Sequence, residues 1–361
     1  MQHPWDDYAL NRPPHKRDLN GYPSMRRALC SPVATCLVIV PALCLAGCGS
    51  SSPTPLAPTP PPVAAPPPAP MQITIAGRVI ATNGGQPLAG LSASLGSATA
   101  TTDGSGSFSA SLTPQAAITL ALTGSSIVPR TLRVAATTTR EVTTDAIILG
   151  GSFDLSFYRS FVRNGYETPQ TLQPLRRWTR TPQIYLKTID EAGELIHGPT
   201  LDAIESIVKD AIPRWTSNAL GVPTVERGTA SREGVSGWIT VKFPAVQTPG
   251  RCGTAQVGVD GGWVELEYHV PDTDTGGCRV PGFVIPPRTI RHEIGHALGF
   301  WHTGNDRDVM SGLKWNVADA NMLPSARELY HASISYKRPI GNIDPDTDGV
   351  GTVNLAPMTA R

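Results

Sequence analysis

The stretch TIRHEIGHALGFWH, residues 289–302, decides how the chain is read. His292 and His296 are four positions apart, so on a helix they lie one turn apart on one face. Two imidazoles so placed can chelate one Zn²⁺, with Glu293 beside them as a candidate general base. That pattern alone is weak, because it arises by chance in many helices. Three further residues follow it in order. Gly299 stands where the helix has to stop, and glycine takes the left-handed conformation that ends a helix and turns the chain sharply. The turn predicts that His302 comes back toward the metal as a third nitrogen ligand. Met310, in DRDVMSG, is then placed to sit beneath the histidines. Three neutral imidazoles leave Zn²⁺ its charge and a fourth position open to water, the condition for hydrolytic chemistry. The competing reading is a buried helix whose histidines are incidental. It weakens as three His, one Glu, one Gly and one Met fall into register.

Upstream, PQIYLKTI (182–189) reads as a strand. LDAIESIVKDAIPRWT (201–216) carries Leu201, Ile204, Ile207, Val208 and Ile212 at helical spacing and predicts an amphipathic helix. GWITVKF (237–243) and GWVELEYHV (262–270) predict further strands, and LPSARELYHASISY (323–336) a later helix. Strand, helix, strands and a second helix make an α/β arrangement over residues 181–340. His269 and His331 read as structural rather than as ligands.

Residues 71–149 change to alternating Ile, Val, Leu and Thr. Turn signals punctuate them at Asn83-Gly84-Gly85, Pro87-Leu88-Ala89-Gly90 and Asp103-Gly104, which predicts a small all-β sandwich. Residues 150–180, rich in Arg and aromatics, read as a connector. Asp344, Asp346 and Asp348 before Gly349 resemble the start of a calcium loop, but Leu355 stands where the twelfth-position acid of an EF-hand belongs. Ca²⁺ is therefore a weak expectation beside a polar tail over 341–361.

At the other end, Met25-Arg26-Arg27 precedes an apolar run from Ala28 to Ala46 and the small residues before Cys48, a secretory pattern. Residues 25–48 are read as this signal and 1–24 as an upstream segment not used as the start. An uncleaved membrane anchor is the rival, disfavoured by Pro32 and Pro41. The Pro-rich segment 49–70 cannot bury a core and reads as an extended stalk. Cys252 and Cys278 are the only cysteines in the body, so in an exported chain they are expected to form one disulfide, whereas a reducing compartment would leave two thiols. Net charge is +1 and no long basic run occurs, which argues against a nucleic-acid partner.

Three resemblances carry these readings further. Leu45-Ala46-Gly47-Cys48 looks like the lipobox of bacterial lipoproteins, which implies lipidation of Cys48, attachment to a membrane through that anchor and a place in the bacterial cell envelope or outside it. AGRVIATNGGQPLAGLSASL and the segment after it resemble carboxypeptidase-regulatory, transthyretin-like modules, usually passive spacers. The run His292-Glu293-x-x-His296-x-x-Gly299-x-x-His302…Met310 resembles the metzincin signature with its Met-turn. Among metzincins it is most similar to matrixins. Astacins and serralysins carry a Tyr two residues after the methionine, where this chain has Gly312. Matrixins usually follow the third histidine with Ser, where this chain has Thr303. The resemblance implies a twisted sheet over an active-site cleft and a zinc metalloendopeptidase acting on protein or peptide substrates. It also implies Glu293 as the catalytic base and a specificity pocket around Lys314 to Tyr330. Arg251-Cys252-Gly253 looks superficially like the cysteine switch of matrixin propeptides, but Cys278 offers a disulfide partner. Two other functions stay open: a surface adhesion or binding protein on a non-catalytic metalloprotease fold, and a zinc hydrolase of non-peptide amides.

Overall fold

The computed structural model describes residues 71–135, 141–246, 248–268, 278, 280, 282–313, 319–349 and 355–360, all within one compact unit that spans 67–361. The signal, Cys48, the stalk, His269 and residues 314–318 of the expected specificity pocket lie outside the described residues. The chain is a mixed α/β fold whose N-terminal region is all β.

In that region β1 (Ile73–Ala81) pairs antiparallel with β4 (Ser107–Leu112) and parallel with β7 (Glu141–Ala146). The facing sheet runs β3-β2-β5-β6, with β2 at Ser92–Leu95, β3 at Ala98–Thr101, β5 at Ile118–Thr123 and β6 at Arg130–Val134. Alternation sends every second side chain inward. Ile75, Val79, Leu95, Leu120 and Leu122 are fully buried in one core, each contributing about 1.5–3 kcal/mol. The turn expected at Asp103-Gly104 is built one step further on. The Asp103 carboxylate accepts the backbone N–H groups of Ser105 and Ser107, and the left-handed residue is Gly106, at φ 75°.

Residues 150–180 are more than a connector: they contain helix α1 (Leu155–Arg163). Asp154 caps it by accepting from Ser156 and Phe157 N–H, and Asn164 ends it in the left-handed conformation. Phe157, Tyr158, Phe161 and Val162 form its buried face. Phe161 stacks on Phe300 with ring centroids 4.5 Å apart, so α1 packs directly against the segment that carries His302.

The main sheet has six strands in the order β13-β11-β12-β10-β8-β9. β8 (Gln183–Lys187), β9 (Val225–Gly228), β10 (Trp238–Lys242) and β12 (Trp263–Leu266) are parallel, and β11 (Gly253–Gln256) runs antiparallel beside β12. Helix α2 (Gly198–Trp215) begins three residues before the apolar run, with Pro199 in its first turn, where a missing N–H costs nothing. Its face of Leu201, Ile204, Val208, Ala211, Ile212 and Trp215 is buried. Helix α3 (Pro287–Leu298) packs on α2, β11 and β12. Helix α4 (Ala326–Ser335) starts with a capping box between Ser325 and Glu328. In it His331 accepts the Asp154 N–H through Nε2, at 3.0 Å, and so ties α4 to the start of α1. Among the described residues no helix is long and apolar enough to cross a membrane.

The segment read as a polar tail is built into the fold. Asp346 and Asp348 pair with Arg130 of β6 at 2.9 and 3.0 Å, and Arg338 reaches both Asp346 (2.8 Å) and Asp145 (2.7 Å). Asp344 pairs with Arg159 at 2.8 Å. All three carboxylates of the calcium-like motif are thus engaged by guanidinium groups, which occupy the role a cation would fill. Further on, β13 (Thr359–Ala360) pairs with the outer edge of β11, and Met358 and Ala360 pack against Val257 and Trp301.

Candidate metal centre

The end of α3 shows why Gly299 is required. It sits at φ 112°, and a Cβ there would lie 2.1 Å from the Arg176 carbonyl oxygen. Its N–H donates to His296 O (2.8 Å) and the Phe300 N–H to Gly295 O (3.0 Å), the paired bonds of a Schellman turn. Two further carbonyls of the last turn are taken by side chains from outside the helix. Trp178 Nε1–H donates to Ala297 O at 2.8 Å and the Tyr336 hydroxyl to Leu298 O at 3.0 Å. The chain then reverses, Trp301 N–H donates to Phe161 O at 2.7 Å, and His302 faces the helix it has just left.

His292, His296 and His302 are brought together with their Nε2 atoms 3.0, 3.1 and 3.1 Å apart. Their other ring nitrogens decide the chemistry. His292 Nδ1 lies 2.7 Å from Val309 O and His296 Nδ1 2.8 Å from Phe300 O; carbonyl oxygens only accept, so each Nδ1 carries the proton. His302 Nδ1 lies 2.5 Å from Glu167 Oε1 and donates to that carboxylate. In the neutral rings all three Nε2 atoms are therefore lone pairs, and they converge with no donor between them. Burial, and secondarily the neighbouring rings, hold His292 neutral down to about 3 and push His296 well below the usual imidazole range. Three acceptors that meet with no donor between them suit a cation: the set fits a metal such as Zn²⁺, with each ligand oriented by a hydrogen bond at its far nitrogen. Among the described residues this is the one group of three or more His, Cys, Asp or Glu whose ligating atoms gather closely enough for an ion.

Met310 is fully buried below this cluster. A Cβ on Gly295 would lie 2.4 Å from its Sδ, so the helix needs a glycine there to seat the thioether. The methionine turn is held by Glu328, whose carboxylate accepts the Met310 N–H at 2.8 Å, and by Thr303 N–H donating to Met310 O at 2.7 Å.

Glu293 lines a cleft of about 350 Å³ together with His292, His302, Thr289, Cys252 and Gly253. Its side chain is buried, which pushes the carboxyl well above the ordinary range, with Arg251 pulling the other way and Glu265 adding to the rise. Among the described residues neither Glu293 Oε2 nor Thr289 Oγ1 has a hydrogen-bond partner. A carboxylate on a cleft wall with an oxygen that no protein group satisfies is able to take a proton from a bound molecule. Cys252, on the cleft wall, is joined to Cys278 by a disulfide with an S–S distance of 2.04 Å.

Sequence reading did not single out Glu167, Gly295 or Thr289. Glu167 gave no local signal, since its partner lies 135 positions away. Gly295 and Thr289 stood inside the quoted stretch, each three residues from His292, and Thr289 also four from Glu293, which marks them as neighbours on the helix.

No protein-family model matches the chain, and no curated protein does. Among solved structures, an N-terminal interface mutant of a type II cohesin–X-dockerin complex from Acetivibrio cellulolyticus aligns over 20% of this chain and 52% of its own, at 20% identity and a TM-score of 0.17. The C-terminal interface mutant of that complex aligns over 20% and 51%, at 18% identity and the same TM-score of 0.17. This chain thus spans about half the length of either. Metalloproteinase-II from Bacteroides fragilis aligns over 73% of this chain and 91% of its own, at 12% identity and a TM-score of 0.30. All three likenesses are weak.

Proposed function

We propose that the chain is a zinc-dependent metallopeptidase of metzincin type, most similar to matrixins, in which His292, His296 and His302 hold the metal and Glu293 is the general base. One observation carries this reading: three Nε2 lone pairs converge beside a buried glutamate that lines the same cleft and has one oxygen without a hydrogen-bond partner. When bound, zinc supplies Lewis acidity, which polarises a carbonyl and lowers the pKa of water to about 7. The protein's own residues do the rest. Val309 O, Phe300 O and Glu167 fix the three rings in the tautomer that presents Nε2. Glu293 takes a proton at its carboxylate and returns it to the leaving amine. Such positioned transfer is typically worth ~10²–10⁴-fold. The cleft is walled by the disulfide-tied segment before β11.

The rest of the organisation belongs to the same reading. Residues 25–48 export the chain and leave it lipid-anchored at Cys48 in the bacterial cell envelope, 49–70 form a stalk, and 71–149 form a carboxypeptidase-regulatory-like module. Zinc content by elemental analysis and cleavage of a peptide library by the purified chain test the function together. One zinc per chain with peptide cleavage supports it. Zinc without cleavage of any peptide leaves a metal-bearing binding protein, and absence of zinc removes the metal centre.

A further inference from the structure

We propose that Glu167 is a positioning residue for the third metal ligand, so that the segment after α1 sets how tightly the ion is held; this rests on the metal centre described above. The three histidines are not supported alike. His292 and His296 lie on a helix, and backbone carbonyls from their own part of the chain hold their far nitrogens. His302 lies on a loop beyond the helix, where no helical neighbour restrains its ring, and its Nδ1–H is received by a carboxylate from a distant segment, Glu167 Oε1 at 2.5 Å.

That carboxylate is itself built into place. Asn164 is left-handed at φ 57°, Gly165 N–H donates to Arg159 O at 2.8 Å and Thr168 N–H to Asn164 O at 2.9 Å, so residues 164–168 form a closed turn at the end of α1. Arg163, buried, anchors the turn's base by donating to Asn342 O at 2.7 Å. On the other flank, the Tyr166 ring packs where a Cβ on Gly312 would lie 2.8 Å from Tyr166 Cε1 and 3.3 Å from His302 Cβ. Glu167 thus holds His302 by charge, while Tyr166, at the adjacent position, lies against Gly312, which also abuts His302. A carboxylate at Nδ1–H restrains the ring and raises the basicity of Nε2 more than a neutral carbonyl does, and losing such a partner typically costs about 10–100-fold in metal affinity.

The test is zinc affinity by chelator competition on wild type, Glu167→Ala, Glu167→Gln, His302→Ala and the double variant His302→Ala with Glu167→Ala. Glu167→Ala should bind zinc about 10–100-fold more weakly than wild type. Glu167→Gln should lose less, because its amide oxygen still accepts the Nδ1–H. In the His302→Ala background Glu167→Ala should cause no further loss, and the zinc-free forms of wild type and Glu167→Ala should melt alike. Unchanged affinity in Glu167→Ala, or an equal loss with His302 absent, would overturn the proposal while leaving the metal centre standing. A wild-type protein that holds no zinc would overturn both.

Discussion

Gly253 and Glu293 meet so closely that a Cβ on residue 253 would lie 2.7 Å from Cγ and 2.8 Å from Oε1 of the glutamate. The first residue of β11 therefore sets the position of the proposed base. Gly253→Ala should push the carboxylate aside without touching any histidine. Displacement of a reacting group by ~1 Å can cost ~10²-fold. Zinc content should stay at the wild-type level while the rate of peptide cleavage falls to that extent. Steady-state kinetics at equal zinc occupancy checks this, and an unchanged rate would show that Glu293 tolerates the methyl group in place.

The histidine cluster was legible because all its parts lie within eleven residues of one another and obey helix geometry, with a glycine stop after the second ligand. The same spacing logic found α2, though its first turn was missed because Gly198 and Pro199 carry no apolar signal. What escaped was long-range. Glu167 approaches His302 only because α1 packs on Phe300, and α1 was itself hidden in an Arg-rich segment. Its signals were present in Asp154 as cap and in Phe157, Tyr158, Phe161 and Val162 at helical spacing. The Asp344–Asp348 run read as polar because an acidic motif says nothing of the arginines that meet it, and Arg130 lies more than two hundred positions earlier.

Those arginines bind the all-β region to the rest of the chain. Arg338 is fully buried and donates to Asp346, Asp145 and Thr82, the last two from the β-sandwich region. Burial opposes ionisation of Asp145, but Arg338, Thr82 and Arg130 together outweigh it and hold the carboxyl below the usual range. Arg338→Ala removes one partner and leaves buried carboxylates behind, a change worth about 3–5 kcal/mol of stability. The urea midpoint of the purified chain should fall accordingly. A midpoint equal to wild type would mean that the network contributes nothing to folding.

Glu328 should make stability depend on pH. Burial first, and then Asp308, push its carboxyl from 4.5 to about 7, against the N–H groups of Met310 and Ser325 that it accepts. Arg327 pairs with that same Asp308 at 2.8 Å, and Arg288 feels the charges of both Glu328 and Asp308. Because the folded value is raised, the folded chain keeps a proton that the unfolded chain has lost. The resulting stability is complete below about 4.5 and is lost as pH rises to about 7. The total should be of order ~3 kcal/mol. Denaturant titrations across this window should show that decline in wild type and not in Glu328→Gln. Parallel profiles would contradict it.

The most direct test of the central claim is steady-state peptide cleavage by wild type and Glu293→Gln at matched zinc occupancy. Glu293 is not a ligand, so the variant should keep its metal and its fold. Glutamine fills the same space and still forms hydrogen bonds, but it cannot take up a proton. The rate should fall by at least ~10²-fold, the lower end of what positioned proton transfer supplies. Equal rates would remove Glu293 from the chemistry and contradict the account.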